Sequence, residues 1–327
     1  MVVRPSRFVA VILGGLALVS AAVAGTRLAT PGRSLTQAGE IVPLALTGRK
    51  IAFGVGVSPA ECRVKLWSIT KGSVTFGLPK TPSCTIETST GSGVFAVSVA
   101  STRVVWLAYT GGNIREWFLF TATAEKPTPK RLRFVSADVD GPAPVVLGPG
   151  TALGIPYAVR RQVVFLGDDG VPLFTTTLAD PVRLITAGPG PDGIRVAALT
   201  SAGHIVALTR VGSPAADDIV PGGAVRALRV FSGGIAYQLG NTVRLVRGGD
   251  VQNVTLPPGA VMVDAPASRI LYERAGDLWA ATTHAGSNVL LADGSPAQPV
   301  HGQLETTGLA WTSGATVYWR AGPPPSG

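Results

Sequence analysis

The chain has 327 residues, a net charge of +9 and only 14% charged side chains, with 41 glycines, 26 prolines and two cysteines. Such a composition excludes a disordered polyelectrolyte and a disulfide-dense miniature fold, and leaves a globular core cut by many turns. The cations are scattered along the sequence, the densest stretch being Lys130-Arg131 with Arg133 nearby. A nucleic-acid binder gathers them on one helix or face, so no nucleic-acid partner is expected.

Arg4 and Arg7 precede an uncharged apolar run, Phe8 to Ala24, that closes on Ala22-Val23-Ala24. A basic end, an apolar centre and a small-x-small stop describe a secretory signal over residues 1–24, cleaved after Ala24. Its length sits at the short edge of what spans a bilayer, so an uncleaved anchor is the alternative. Membrane contact is expected only through this segment. The expected address is secreted or attached to the cell envelope. The Arg, Ala, Gly, Pro and Val bias fits a GC-rich bacterial source.

A linker over residues 25–32 leads to the domain, residues 33–322. No window there carries apolar positions at helical spacing between caps. Instead, β-branched and aromatic runs of about five to eight residues alternate with Gly, Pro, Asn, Asp and Ser, the pattern of short antiparallel strands. A hairpin recurs, as in RILYERAGDLWAATT, GGIAYQLGNTVRLVRGG and GLAWTSGATVYWRAG. Second strands begin near Arg49, Thr102, Gly154, Gly193, Gly233, Arg269 and Gly308.

An apolar strand precedes each hairpin, and a fourth follows six of the seven. The last unit stops at a Pro-rich tail, residues 323–327. RSLTQAG at Arg33–Gly39 is free to supply the missing strand, closing a ring without a bare edge. Four strands in a unit of about forty residues make a β-propeller. The expected fold is all-β, with seven four-stranded blades; six blades, with the irregular first stretch folded otherwise, is the alternative. All six tryptophans, residues 67, 106, 117, 279, 311 and 319, fall in second or third strands. There they are expected to pack blade on blade.

The unit RILYERAGDLWAATTHAGSNVLLAD resembles a degenerate WD40-like, TolB-type propeller repeat, and RKIAFGV and GGIAYQL echo its first part. The Gly-His and Trp-Asp signature of WD40 repeats and the sialidase Asp-box are missing. The resemblance implies a propeller and a habit of binding, and it carries over no catalytic residue.

Cys62 and Cys84, alone in an oxidising compartment, are expected to form one disulfide. It would close a loop worth about 3 kcal/mol. Cys62 belongs to a turn between second and third strands and Cys84 to the connection to the next blade. Both lie on the ring face that carries the 79–93 loop, the expected docking face for a protein or small ligand.

His204, His284 and His301 share no metal-ligand spacing, and no cofactor or metal is expected. Asp138-Val139-Asp140-Gly141 lacks the later oxygen ligands of a calcium loop and reads as a turn, as does Asp168-Asp169-Gly170. No nucleophile elbow or phosphate-cradling loop is present. Arg183, Arg226 and Arg229 on innermost strands, with His301, are the candidate channel-facing residues for an anionic ligand. The expected function is a non-enzymatic binding or scaffold propeller. A hydrolase or lyase with a metal-assisted site at the channel mouth is the alternative.

Overall fold

The computed structural model describes residues 31–58, 61–76, 91–191, 193–213, 219–266, 268–283 and 287–322. These residues form seven antiparallel sheets and no helix. Blade 1 begins with strand Ile41–Thr47, and its hairpin pairs Lys50–Ser58 with Glu61–Ser68. Blades 2 to 6 repeat the order first-second-third-fourth from the centre outward. Blade 4 shows three strands, and an isolated bridge from Ile219 to Ile205 holds the place of its fourth. Asp217 and Asp218, whose charges suit an outer edge strand, lie outside the described residues.

Blade 7 is closed by the other end of the chain. Arg33–Thr36 pairs antiparallel with Thr316–Ala321, from Arg33 opposite Trp319 to Thr36 opposite Thr316. The protein is thus a seven-bladed propeller whose two ends share a sheet, and the six-bladed alternative is set aside.

The core lies between blades, because a twisted sheet with two apolar faces cannot bury either by itself. Trp106 of blade 2 is 1% exposed and stacks between Phe76 of blade 1 and Phe120 of its own sheet, with ring centroids 5.7 Å away in each case. Trp67 of blade 1 packs with Val317 and Trp319 of blade 7. Trp311 packs with Leu271 and Leu291 of blade 6. Each such side chain buries enough apolar area to contribute about 2–3 kcal/mol.

Near the axis the innermost strands approach closely. An added Cβ at Gly150 would stand 2.1 Å from the Val99 carbonyl oxygen, and one at Gly188 2.6 Å from that of Val230. Only glycine fits at such contacts.

The ring has two distinct faces. The front carries the turns between second and third strands and the connections to the next blade. The rear carries the turns between first and second and between third and fourth strands. Residues 79–90 of the 79–93 connection, Cys84 among them, lie outside the described residues, as does the Cys62 side chain, and residues 91–93 begin a strand. The connection's flanking strands, Gly72–Thr75 and Gly91–Ala100, put its two ends on the front.

Candidate functional site

The axis is open at both ends. A cavity of about 560 Å³ at the rear is walled by the ends of the innermost strands and their turns, among them Thr47, Lys50, Thr186, Phe231, Asp264 and Glu305. A cavity of about 310 Å³ at the front is walled by Pro43, Phe95, Val263, Glu273 and His301. Pro149, Arg229 and Gln303 line both, so they form the waist of one channel.

Arg229 sits mid-strand in Val225–Phe231, which directs it inward. Its Nη1 donates to the Leu228 carbonyl at 2.8 Å, and its Nε lies 3.9 Å from Asp264 Oδ1. Nε is buried without a hydrogen-bond partner, while 26% of the side chain stays open to the lumen. Burial lowers the Arg229 pKa, and Asp264 and Glu273 oppose that; the guanidinium remains a cation at neutral pH.

Asp264 ends its strand, Val261–Asp264. Its Oδ1 accepts from the Ala265 amide at 2.9 Å and its Oδ2 from the Leu304 amide of blade 7 at 3.1 Å. Burial pushes this carboxyl up, and Arg229 and the two amides pull it down.

Glu305 ends strand Gly302–Glu305 and accepts from the Gly48 amide of blade 1 at 2.5 Å. Burial first, with the Asp264 charge adding to it, pushes Glu305 up to about 7. Both carboxylates therefore tie one blade to the next while facing the cavity. Gln303 and Thr47 do similar work: Gln303 Oε1 accepts from the Leu46 amide at 2.6 Å, and Thr47 Oγ1 donates to the Val99 carbonyl at 2.6 Å.

The front mouth is shaped by β-bulges. The register slips between Ile41 and Leu44, Val94 and Ala96, Val182 and Leu184, Val225 and Ala227, and Met262 and Asp264. These slips occupy equivalent places in blades 1, 2, 4 and 5, and that of blade 6 lies about two residues nearer the rear. A bulge leaves its extra residue out of the ladder and re-aims it. The residues so released are Val42 with Pro43, Phe95, Arg183, Arg226 and Val263.

Of the four candidate channel residues, the structure brings Arg229 and His301 to the channel walls. Arg183 and Arg226 are exposed bulge residues on the front rim. The reason is the slip itself: the extra residue leaves the ladder and is re-aimed to the rim. His301 lies one residue ahead of its expected strand. Its Nδ1 is 3.3 Å from both Glu273 carboxylate oxygens. The bond to Glu273 raises the His301 pKa against the opposing effect of burial. His204 lies in a front turn, and His284 falls outside the described residues.

Among the described residues, no three His, Cys, Asp or Glu side chains converge as a metal-ligand set. Asp138–Gly141 forms a turn closed by the Gly141 amide on the Asp138 carbonyl at 3.1 Å, and the Gly170 amide closes the other on Gly167 at 2.9 Å.

What fold and channel define is a seven-bladed β-propeller with an open, polar-waisted axis. No family model and no curated protein matches the sequence. Solved structures do match. A chain of a structure titled "Crystal Structure of Mitotic Checkpoint Complex" aligns with TM-score 0.57 and 14% identity, over 96% of this chain and 98% of that one. Sqt1 of Saccharomyces cerevisiae aligns with TM-score 0.50 and 10% identity, over 91% and 100%. Both are WD40 propellers. At such identities the shared property is the fold.

Proposed function

We propose that the protein is an exported, envelope-associated binding propeller of a bacterium, non-enzymatic, presenting its front rim to a protein or small-ligand partner. The observation that carries this reading is the recurrence of a bulge at one height in four blades, with a fifth bulge nearby in blade 6. Regular strands would keep those side chains in the ladder; the bulges put Pro43, Phe95, Arg183, Arg226 and Val263 around one mouth. Aromatic and Arg side chains, here Phe95, Arg183 and Arg226 around a central pocket, are residue types enriched at binding surfaces. The TolB-type likeness of the repeats and the N-terminal segment support the export and binding parts of the reading.

The test is photocrosslinking in the producing cell from positions 95 and 226, with Ser73 on the outer edge of blade 1 as control. A discrete adduct from both rim positions is expected, with the adduct from position 95 lost on Arg183→Ala with Arg226→Ala and that from position 226 lost on Arg183→Ala. Adducts from Ser73 alone, or none from the rim, would overturn it.

A second reading has its own support. The Asp264 and Glu305 carboxyls face a cavity large enough for a small ligand, and Glu305 is poised near neutrality for proton transfer. Hydrolase or lyase chemistry at the rear mouth would require turnover that disappears in Glu305→Gln, with titration near pH 7.

A further inference from the structure

The cations scattered along the sequence are gathered on one face. On the rear lie Arg49, Lys50 and Lys71 of blade 1 and Arg103, Lys126 and Lys130 of blade 2. Blades 4 to 7 add Arg195, Arg210, Arg247, Arg269 and Arg320, and the closing strand adds Arg33. Only blade 3 supplies none. Crowding is felt: burial and then repulsion from Arg320 lower the Arg269 pKa.

The described acids on the rear rim are few, and two are engaged. Asp168 accepts from the Thr102 and Arg103 amides at 3.1 and 3.2 Å, and Asp169 from the Val171 amide at 2.9 Å. Glu125 and Asp250 complete them, with Asp264 and Glu305 inside the channel. On the front, Arg160, Arg161, Arg183, Arg226 and Arg274 are interspersed with Glu40, Asp138, Asp140, Asp180, Glu273 and Asp293. That face is near balance.

Where the rear lacks cations it is apolar. Leu153, Val171 and Leu173 of blade 3 are 50%, 59% and 51% exposed, and Val211 of blade 4 is 76% exposed. The two blades meet here, since Gly212 lies against the Phe174 ring. A broad basic disc with one greasy spot at its edge is the make-up of a surface that rests on anionic lipid. The charges are drawn to headgroups, and a few apolar side chains dip below them.

The chain also enters the propeller on this face: the Gly32 amide donates to Trp319 at 2.9 Å, and Arg33 Nη1 to the Ile69 carbonyl at 2.5 Å. The apolar stretch Phe8–Ala24 precedes it by a linker whose full extension is about 27 Å.

We infer that the rear face is a docking surface for an anionic phospholipid bilayer, leaving the front rim directed away from the membrane. The inference does not depend on what the front rim binds.

Vesicle co-sedimentation of the full chain tests it, on phosphatidylcholine alone and mixed with phosphatidylglycerol. The N-terminal segment is common to every variant and cancels. Lys71→Gln with Lys126→Gln and Lys130→Gln, all exposed, should weaken binding to the mixed vesicles about a hundredfold, near fivefold for each charge. Arg183→Gln with Arg226→Gln and Arg274→Gln on the front should change it less than about twofold. Leu173→Ser with Val211→Ser should reduce the fraction that stays bound in high salt. Equal losses from both triple variants, no preference for the anionic lipid, or tighter binding to a duplex oligonucleotide that displaces the vesicles would overturn the inference. Such results would leave the crosslinking from positions 95 and 226 unaffected, so the two readings fail separately.

Discussion

Around the rear end of the channel the innermost strands are fastened to one another. Thr47 reaches Val99, Glu305 reaches Gly48, Asp264 reaches Leu304. Around the front end the innermost strands of blades 2, 4 and 5 slip register and release Phe95, Arg183 and Arg226 from the ladder. The ring of innermost strands therefore has a fastened end and a released one. A ring must hold its inner radius somewhere, and fixing it with side chains that accept buried amides satisfies groups that would be costly unpaired. The opposite rim is then free to carry side chains that contribute little to folding.

Three changes would break or sharpen this contrast. The largest effect is expected from Asp264→Ala, which strips the Leu304 amide of its acceptor and removes the nearest counter-charge of Arg229. The cost should be about 3–5 kcal/mol in urea unfolding. A loss below about 1 kcal/mol would show that water replaces the carboxylate and that the rear rim is not rigid.

The next concerns Glu305. Its folded-state pKa, near 7, lies above the ordinary carboxylate value, so the folded protein holds this proton more tightly than the unfolded chain. The resulting stability is complete at pH values below the ordinary carboxylate range and is lost as pH rises through about 7. After discounting for water in the channel, about 1–2 kcal/mol should disappear between pH 5 and pH 8. Glu305→Gln should flatten that slope in thermal melts; an unchanged slope would assign it elsewhere.

The smallest effect belongs to the front. Arg183→Ala and Arg226→Ala should each shift stability by less than about 0.5 kcal/mol. A larger loss would mean that the bulged side chains are structural, and the contrast between the rims would fail.

Much of the architecture was legible because it is local and repeated. Each hairpin announces itself by alternation and turn residues, and seven recurrences leave few folds that satisfy them all. The bulges were not legible: VRLITAG and VRALRVF read as unbroken strands, and one inserted residue moved Arg183 and Arg226 from the channel to its rim. Asp264, Glu305 and Thr47 were missed although a signal existed. Each is the last residue of its innermost strand, and Thr47 and Glu305 fall at one polar position in blades 1 and 7 once the repeats are aligned.

By itself the sequence determined the all-β class, the seven units, the closure by Arg33–Thr36 and the blade-to-blade tryptophans, because periodic burial is written in neighbouring residues. Only the tertiary structure decided which charges share a face. Lys71, Lys126 and Arg320 are far apart along the chain, and what brings them together is the alternating direction of successive strands, which sends every second turn to the rear.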